Sequence, residues 1–531
     1  MRDPAPVPPP APPESGAPGT TAVVLATTAA AALRCGDGTL ADRLTAQLAA
    51  LPVRDVHVVG RSGAVIRAAE GTHLIGSHGS RGLADDLRRV ARLARDSPGP
   101  VAVLAGDLVA HTEALAVLLG RPGRGTGAVV ATADGEDPGP LRPPVRVEDG
   151  RVVAAGASGA PLPGANGTFR GVLQVGESHL EALAEVAEEL AARAERRDGP
   201  AGGSQEAGPD GAGTAADGAG ACALLLDGLV RAGVPVRAAA PGRLHCDRVA
   251  GQPAADAAVR RLAEVDEDRA RLEAAVKGDD GFFTTYFVSS WSPYLVRLAA
   301  ELRLTPNAVT GISVGLAALA AVWFSEGTRE ARIAGAVLFY LSFVFDCVDG
   351  QLARYTRAFS VFGSWLDATF DRVKEYAVYA GLAFGYAAGT AAGGAGDGAE
   401  DIWRLAVAAL VLQALRHMLD SSYTEARAAA AASGAARAPG TGDAPGAAGA
   451  GGDRDAAGAA GGVAGLSRRL EQDSFTRWLK RMIVLPIGER TALIAVTAAV
   501  FDARVTFLAL LAWGGLATLY MLGGRMGRSM V

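Results

Sequence analysis

Six apolar stretches follow one another in the C-terminal half of the chain, at 308–324, 331–348, 361–388, 402–424, 482–501 and 503–523. Each is close to the roughly 20 residues that a helix needs to cross a bilayer. One such stretch alone would serve equally well as a buried core helix. Six in succession, in the half that holds every tryptophan (Trp291, Trp323, Trp365, Trp403, Trp478 and Trp513), read as a membrane domain. Basic residues orient it. With the N-terminus inside, the inner loops hold Arg354 and Arg357, then Arg427, Arg437, Arg454, Arg468, Arg469, Arg477, Lys480 and Arg481, then Arg525 and Arg528. The outer segments hold only Arg329, Arg332 and Arg504. This asymmetry satisfies the positive-inside rule. It predicts a multi-pass protein of the cell membrane, with its N-terminal region and its site on the cytoplasmic side.

The N-terminal half has a different composition. Residues 1–19 are proline-rich and predict a disordered tail without an apolar signal region. Residues 20–260 alternate short β-branched runs with helical patterns. The strands expected are Thr21–Ala26, Asp55–Val59, Thr72–Ile75, Val101–Ala105, Gly127–Ala131 and Phe169–Val175. The helices expected between them include Leu40–Leu51, Leu83–Arg95 and Leu180–Arg197. That alternation predicts a doubly wound α/β domain with a mostly parallel sheet. Residues 198–220 read as a flexible insertion, 261–305 as a connector with a juxtamembrane helix, 306–528 as the six-helix all-α transmembrane domain, and 429–465 as a disordered cytoplasmic loop. The net charge of −5 gives no basic field, so no nucleic-acid partner is expected. The four cysteines form no CxxC pair, which argues against a zinc site or a disulfide framework.

The chemistry concentrates in 346–371, DCVDGQLARYTRAFSVFGSWLDATFD. Asp346 and Asp349 stand i,i+3 on one helix; Asp367 and Asp371 stand i,i+4 on the next. The chain reverses between them, so the two pairs can converge. One or two carboxylates at helix ends would be ordinary interfacial charges. Four at membrane depth repel one another and cost heavily in desolvation unless cations offset them. Two Mg²⁺ or Mn²⁺ ions suit hard oxygen ligands and would clamp a phosphoryl group between its attacking and leaving oxygens. Gly350 and Ala353 leave room for a nucleotide, Gly363 removes a side-chain obstruction, and Arg354 can pair with a phosphate.

These eight residues match D-x2-D-G-x2-A-R-x8-G-x3-D-x3-D without a departure, and over roughly 280–528 the chain resembles the CDP-alcohol phosphotransferase (phosphatidyltransferase) family. The preceding TPNAVT resembles that family's approach to its first span. The resemblance implies a phospholipid-biosynthetic six-helix membrane enzyme that displaces CMP from a CDP-linked donor with an alcohol acceptor, commonly as a homodimer. The donor is either CDP-diacylglycerol or a CDP-polyol such as CDP-inositol. The resemblance also implies that Asp346, Asp349, Asp367 and Asp371 are metal ligands, with Asp371 also the general base. Asp349, Gly350, Ala353, Arg354, Gly363 and Asp367 would contact CDP. If the acceptor is a polyol phosphate, Arg357, Lys374, Arg427, Arg481 and Arg490 are the candidates to hold it. The rival reading is a membrane-anchored binding or regulatory protein whose transferase site is dead.

Residues 21–135 resemble sugar-phosphate nucleotidyltransferases, through AVVLA as the first strand and VAVLAGDLV ending at Asp107; Asp247 in HCDRVA stands where a second metal ligand would lie. The fusion resembles the bifunctional inositol-1-phosphate cytidylyltransferase/di-myo-inositol-phosphate-phosphate synthase family. The expected phosphate-cradling loop is replaced by ATTAAAALRCGDGT, with Gly36–Thr39 a displaced remnant at most, and no lysine precedes Lys277. A nucleotidyltransferase-like domain without cytidylyltransferase activity is therefore expected.

Overall fold

The computed structural model describes residues 19–61, 73–120, 125–132, 138–156, 162–198, 220–276, 282–392, 396–436 and 485–529. The expected proline-rich tail and most of the insertion at 198–220 lie outside the described residues. The chain divides into two compact units: Met1–Ala274 with Thr356–Ala358, and Ala275–Tyr355 with Phe359–Val531.

The strands of the first unit are β1 (Thr20–Ala26), β2 (Arg34–Cys35), β3 (Gly38–Thr39), β4 (Val53–Arg61), β5 (His73–Ser80), β6 (Val101–Ala105), β7 (Leu108–Ala110), β8 (Gly127–Thr132), β9 (Pro144–Glu148), β10 (Arg151–Ala155), β11 (Gly167–Val175), β12 (Val236–Ala239) and β13 (Cys246–Arg248). Its helices are α1 (Leu40–Ala49), α2 (Leu83–Asp96), α3 (Thr112–Leu119), α4 (Leu180–Asp198), α5 (Ala221–Arg231), α6 (Gln252–Leu262) and α7 (Glu267–Ala275). Nine strands form one sheet in the order β5-β4-β1-β6-β11-β8-β12-β10-β9. Successive side chains of a strand point to opposite faces, and β1 obeys this closely. Val23 and Leu25 pack with Leu87 and Val90 of α2, Leu183 of α4 and Leu226 of α5. Ala22 and Val24 pack on the other face with Leu44 and Leu48 of α1 and Leu115 and Leu118 of α3. Both faces are covered, which is why the central strands read as continuous apolar runs.

The sheet corrects the expectation of mostly parallel strands: it is mixed. β1 is parallel to β4 and β6, β4 to β5, and β8 to β12. β11 runs antiparallel to β6, β8 and β9, and β10 antiparallel to β9 and β12. For β9 and β10 the physical reason lies in their connection. It is a two-residue hairpin through Asp149 and Gly150, with φ of 48° and 74°. A hairpin forces antiparallel pairing, whereas parallel neighbours need a crossover.

Gly36–Thr39 is not an anion cradle. Cys35 pairs with Gly38 across a small β2–β3 hairpin, and Thr39 closes a capping box with Asp42 at the start of α1.

The second unit is helical: α8 (Ser292–Glu301), α9 (Pro306–Ser325), α10 (Arg329–Thr356), α11 (Val361–Ala392), α12 (Gly396–Ala436), α13 (Ile487–Val500) and α14 (Ala503–Ser529). Thr305 caps α9 by accepting from the Ala308 amide, and Pro306 occupies the first turn, where its missing N–H costs nothing. Among the described residues, four helical segments are long and apolar enough to cross a membrane: Pro306–Ser325, Arg329–Thr356, Glu400–Tyr423 and Ala503–Gly523. α11 is long enough, but it carries Asp367, Asp371, Arg372, Lys374 and Glu375, while α13 has only 14 residues. Leu319, Val322, Val411, Leu415, Leu516 and Leu519 are exposed on these helices, the outward apolar surface expected of helices that face lipid rather than water. The first residues of the loop expected at 429–465 are helical, since α12 continues to Ala436; the rest lie outside the described residues.

α9 and α11 meet without intervening side chains. A Cβ on Gly381 would lie 2.3 Å from the carbonyl oxygen of Ala321, and one on Gly385 would lie 2.1 Å from that of Phe324. Backbone cannot yield as a flexible side chain can. Gly385→Leu is therefore expected to destabilise the second unit by about 1–3 kcal/mol or more, read as a lower melting temperature in detergent. An unchanged melting temperature would show that the seam is not tight.

Candidate active site

α10 carries Asp346 and Asp349, and α11 carries Asp367 and Asp371. Carboxylate oxygens of Asp346, Asp349 and Asp367 lie within 4.8 Å of one another. Asp349 is buried, and the Thr310 hydroxyl on α9 donates to its Oδ2 at 2.5 Å. Asp371 stands outside this trio. Its Oδ1 is 2.9 Å from the ammonium of Lys374, one helical turn on. Lys374 also donates to Asp346, and to Ser313 Oγ at 3.2 Å. The expected acceptor-phosphate lysine is thus placed inside the carboxylate cluster.

The small residues divide. At Gly350 an added Cβ would meet only Arg354 Nη1, at 3.4 Å, so that face of α10 is open to a ligand. At Gly363 it would lie 2.7 Å from Asn307 Oδ1, so a neighbouring helix already uses that space. Arg354 Nε donates to the carbonyl of Ala275, and Ala353 is half-buried.

A cavity beside the cluster is lined by Asp346, Asp371, Lys374, Glu375 and Arg490. Arg490 is buried and paired with Glu375 at 2.7 Å, and Glu375 also accepts from the Tyr379 hydroxyl at 2.6 Å. Arg416, also buried, donates to the carbonyl of Leu485. Sequence reasoning did not single out Arg416, Glu375 or Ser313. For Glu375 the available signal was its i,i+4 spacing from Asp371. Arg357 falls among the three residues grouped with the first unit, where it pairs with Glu113 and donates to the Ala50 carbonyl at 3.0 Å. The side chain of Arg427 and all of Arg481 lie outside the described residues.

The first unit treats its two candidate aspartates differently from a metal site. Both oxygens of Asp107 accept from Arg248, at 2.8 Å each, and Thr28 adds a third bond at 3.2 Å. Asp247 accepts from Arg142 and pairs with Arg170 at 3.1 Å. Arg248 reaches Asp107 past Gly171, whose φ of +78° and missing Cβ leave its path clear; a Cβ there would lie 2.8 Å from the Arg248 side chain. Removing one partner of a buried pair strands the other. Asp107→Ala is expected to cost the first unit roughly 3–5 kcal/mol, measured by denaturant unfolding; a cost below about 1 kcal/mol would count against a structural role. Cys222 and Cys246 have thiols pushed up to about 12 by burial, so neither supplies a thiolate nucleophile near neutral pH.

Residues 303–441 match the family model described as CDP-alcohol phosphatidyltransferase. The second unit holds a CDP-alcohol phosphatidyltransferase domain. Among curated relatives, this chain is 37% identical over 86 residues to "Archaetidylinositol phosphate synthase" of Pyrococcus horikoshii, covering 16% of this chain and 44% of that protein. It is 31% identical over 182 residues to "Bifunctional IPC transferase and DIPP synthase" of Rubrobacter xylanophilus, covering 34% of this chain and 37% of the relative. The chain thus spans less than half the length of either relative. A solved structure, the inositol-1-phosphate CTP transferase from T. maritima, overlaps 47% of this chain and 98% of its own at 13% identity and a TM-score of 0.31. The transferase domain's matched region begins at Arg303 and takes in the four aspartates, Thr310 and Lys374.

Proposed function

We propose that the chain is an integral-membrane, divalent-metal-dependent CDP-alcohol phosphotransferase, with six membrane-crossing helices and its first unit in the cytoplasm. The observation that carries this reading is the convergence of the carboxylates of Asp346, Asp349 and Asp367 from two adjacent helices. Three hard oxygen donors so close together suit Mg²⁺ or Mn²⁺. Asp346, Asp349 and Asp367 would hold the metal, which, when bound, stabilises charge on the pyrophosphate and makes CMP a competent leaving group.

The chain's own residues do the rest. Gly350 leaves the face of α10 free for the cytidine diphosphate. The acceptor oxygen attacks the phosphorus that carries the donor's alcohol, the bond to the CMP oxygen breaks, and the hydroxyl proton passes to Asp371. That carboxylate lines the cavity and is 27% exposed, with Lys374 on only one of its oxygens. Arg490 and Arg416 supply the positive charge that an acceptor phosphate needs. The name of the Pyrococcus relative favours an inositol phosphate acceptor and a lipid-linked donor. The first unit is a regulatory or binding domain without cytidylyltransferase activity, because Asp107 and Asp247 are committed to arginines.

The test is CMP release by the full chain in detergent or vesicles, with CDP-diacylglycerol or CDP-inositol as donor and inositol phosphate as acceptor, with and without Mg²⁺. Metal-dependent CMP release from one donor is the expected result; none from either would defeat the reading. Pyrophosphate release from CTP and inositol phosphate is expected to be at background, and release that depends on Asp107 would reverse the assignment of the first unit.

A further inference from the structure

Lys374 deepens the reading of the same site. Its ammonium lies among three acceptors from three helices: Ser313 Oγ on α9 at 3.2 Å, Asp346 on α10, and Asp371 Oδ1 on α11 at 2.9 Å. Of its three N–H donors, two are engaged, by Ser313 and Asp346, and the Asp371 contact is an ion pair. The side chain is 7% exposed. Ser313 is itself fixed from behind, donating to the Ser342 carbonyl at 2.9 Å. The charge of Lys374 is thus set between two carboxylates, Asp346 and Asp371.

The aspartates therefore sort into two overlapping cation positions that share Asp346. One is bounded by Asp346, Asp349 and Asp367, whose oxygens lie within 4.8 Å of one another. The other is bounded by Asp346 and Asp371, and the lysine occupies it. A divalent ion placed on Asp346 and Asp371 would press against a buried ammonium, and like charges so close in a medium of low dielectric repel strongly. We propose that Lys374 is a built-in cation filling one of the two positions, so that the domain takes a single divalent ion, on Asp346, Asp349 and Asp367. This rests on the metal-dependent reading above and replaces the two-ion expectation drawn from the aspartate count.

The experiment counts ions rather than turnover. The full chain in detergent micelles is stripped with a chelator and titrated with Mn²⁺ in the absence of nucleotide, with free Mn²⁺ read by electron paramagnetic resonance. One ion per chain is expected for the wild type, two for Lys374→Met, and none for Asp349→Asn. Two ions on the wild type would overturn the lysine's role while leaving the metal-dependent reading intact. No ion on the wild type would overturn both. One ion on both the wild type and Lys374→Met would also overturn the inference, as would an ion that survives Asp349→Asn. Should Lys374→Met fail to fold, Lys374→Gln replaces it, and the wild-type count alone already decides between one ion and two.

Discussion

Asp349→Asn is expected to remove nearly all CMP release while the chain stays folded. Asparagine keeps the shape of the side chain and an oxygen for the Thr310 hydroxyl, so the packing of α9 against α10 is retained. What it loses is a charge and a hard metal ligand. Metal stabilisation of a phosphoryl transition state is worth several kcal/mol, and each 1.36 kcal/mol is tenfold in rate, so a fall of about 10³-fold or more is expected. Circular dichroism and the melting temperature should stay close to wild type. A variant retaining activity within tenfold of wild type would show that Asp349 is not a ligand.

Asp371→Asn is expected to act on a different step. An alcohol attacks well only if its proton leaves as the bond forms. Asp371 lies apart from the converged trio, faces the cavity and is held by Lys374 through Oδ1. The chemical step should fall by roughly 10²–10⁴-fold, the usual cost of a lost general base, while donor binding and the Mn²⁺ count hold. Equilibrium binding of the donor beside single-turnover CMP formation separates the two. If donor binding collapses as well, Asp371 is a ligand and not the base.

Much of this was legible in the sequence, and the limits are physical. Val101–Ala105 forms a strand with the expected bounds because its five residues are buried and apolar. The hairpin of Asp149 and Gly150 was readable too, since Asp-Gly is a strong two-residue turn signal. The strands on either side, PVRVE and RVVAA, are short and carry arginine, so neither shows the apolar run that marks the central strands. The arginine clamps on Asp107 and Asp247 could not be read: Arg248 stands 141 residues from Asp107, and Arg142 stands 105 from Asp247. Such pairs depend on the sheet order, which no local pattern encodes. Lys374 was readable in part. Its i,i+3 spacing from Asp371 puts both on one face of α11, but the contacts to Ser313 and Asp346 come from two other helices.

The carboxylates, with the lysine and the hydroxyls that touch them, come from three consecutive helices, and this has a consequence in time. Thr310, Ser313, the four aspartates and Lys374 lie on consecutive helices, and only residues 357–360 separate α10 from α11. Short connections close fast, and chains fold in the order in which they are made. At about 5–20 residues per second, these helices wait seconds for the segments that follow them. Through that interval a nascent chain entering the bilayer would otherwise present four bare carboxylates to lipid. The lysine arrives with them, three residues behind the last, and its ammonium offsets part of their charge once Asp346 and Asp371 meet it.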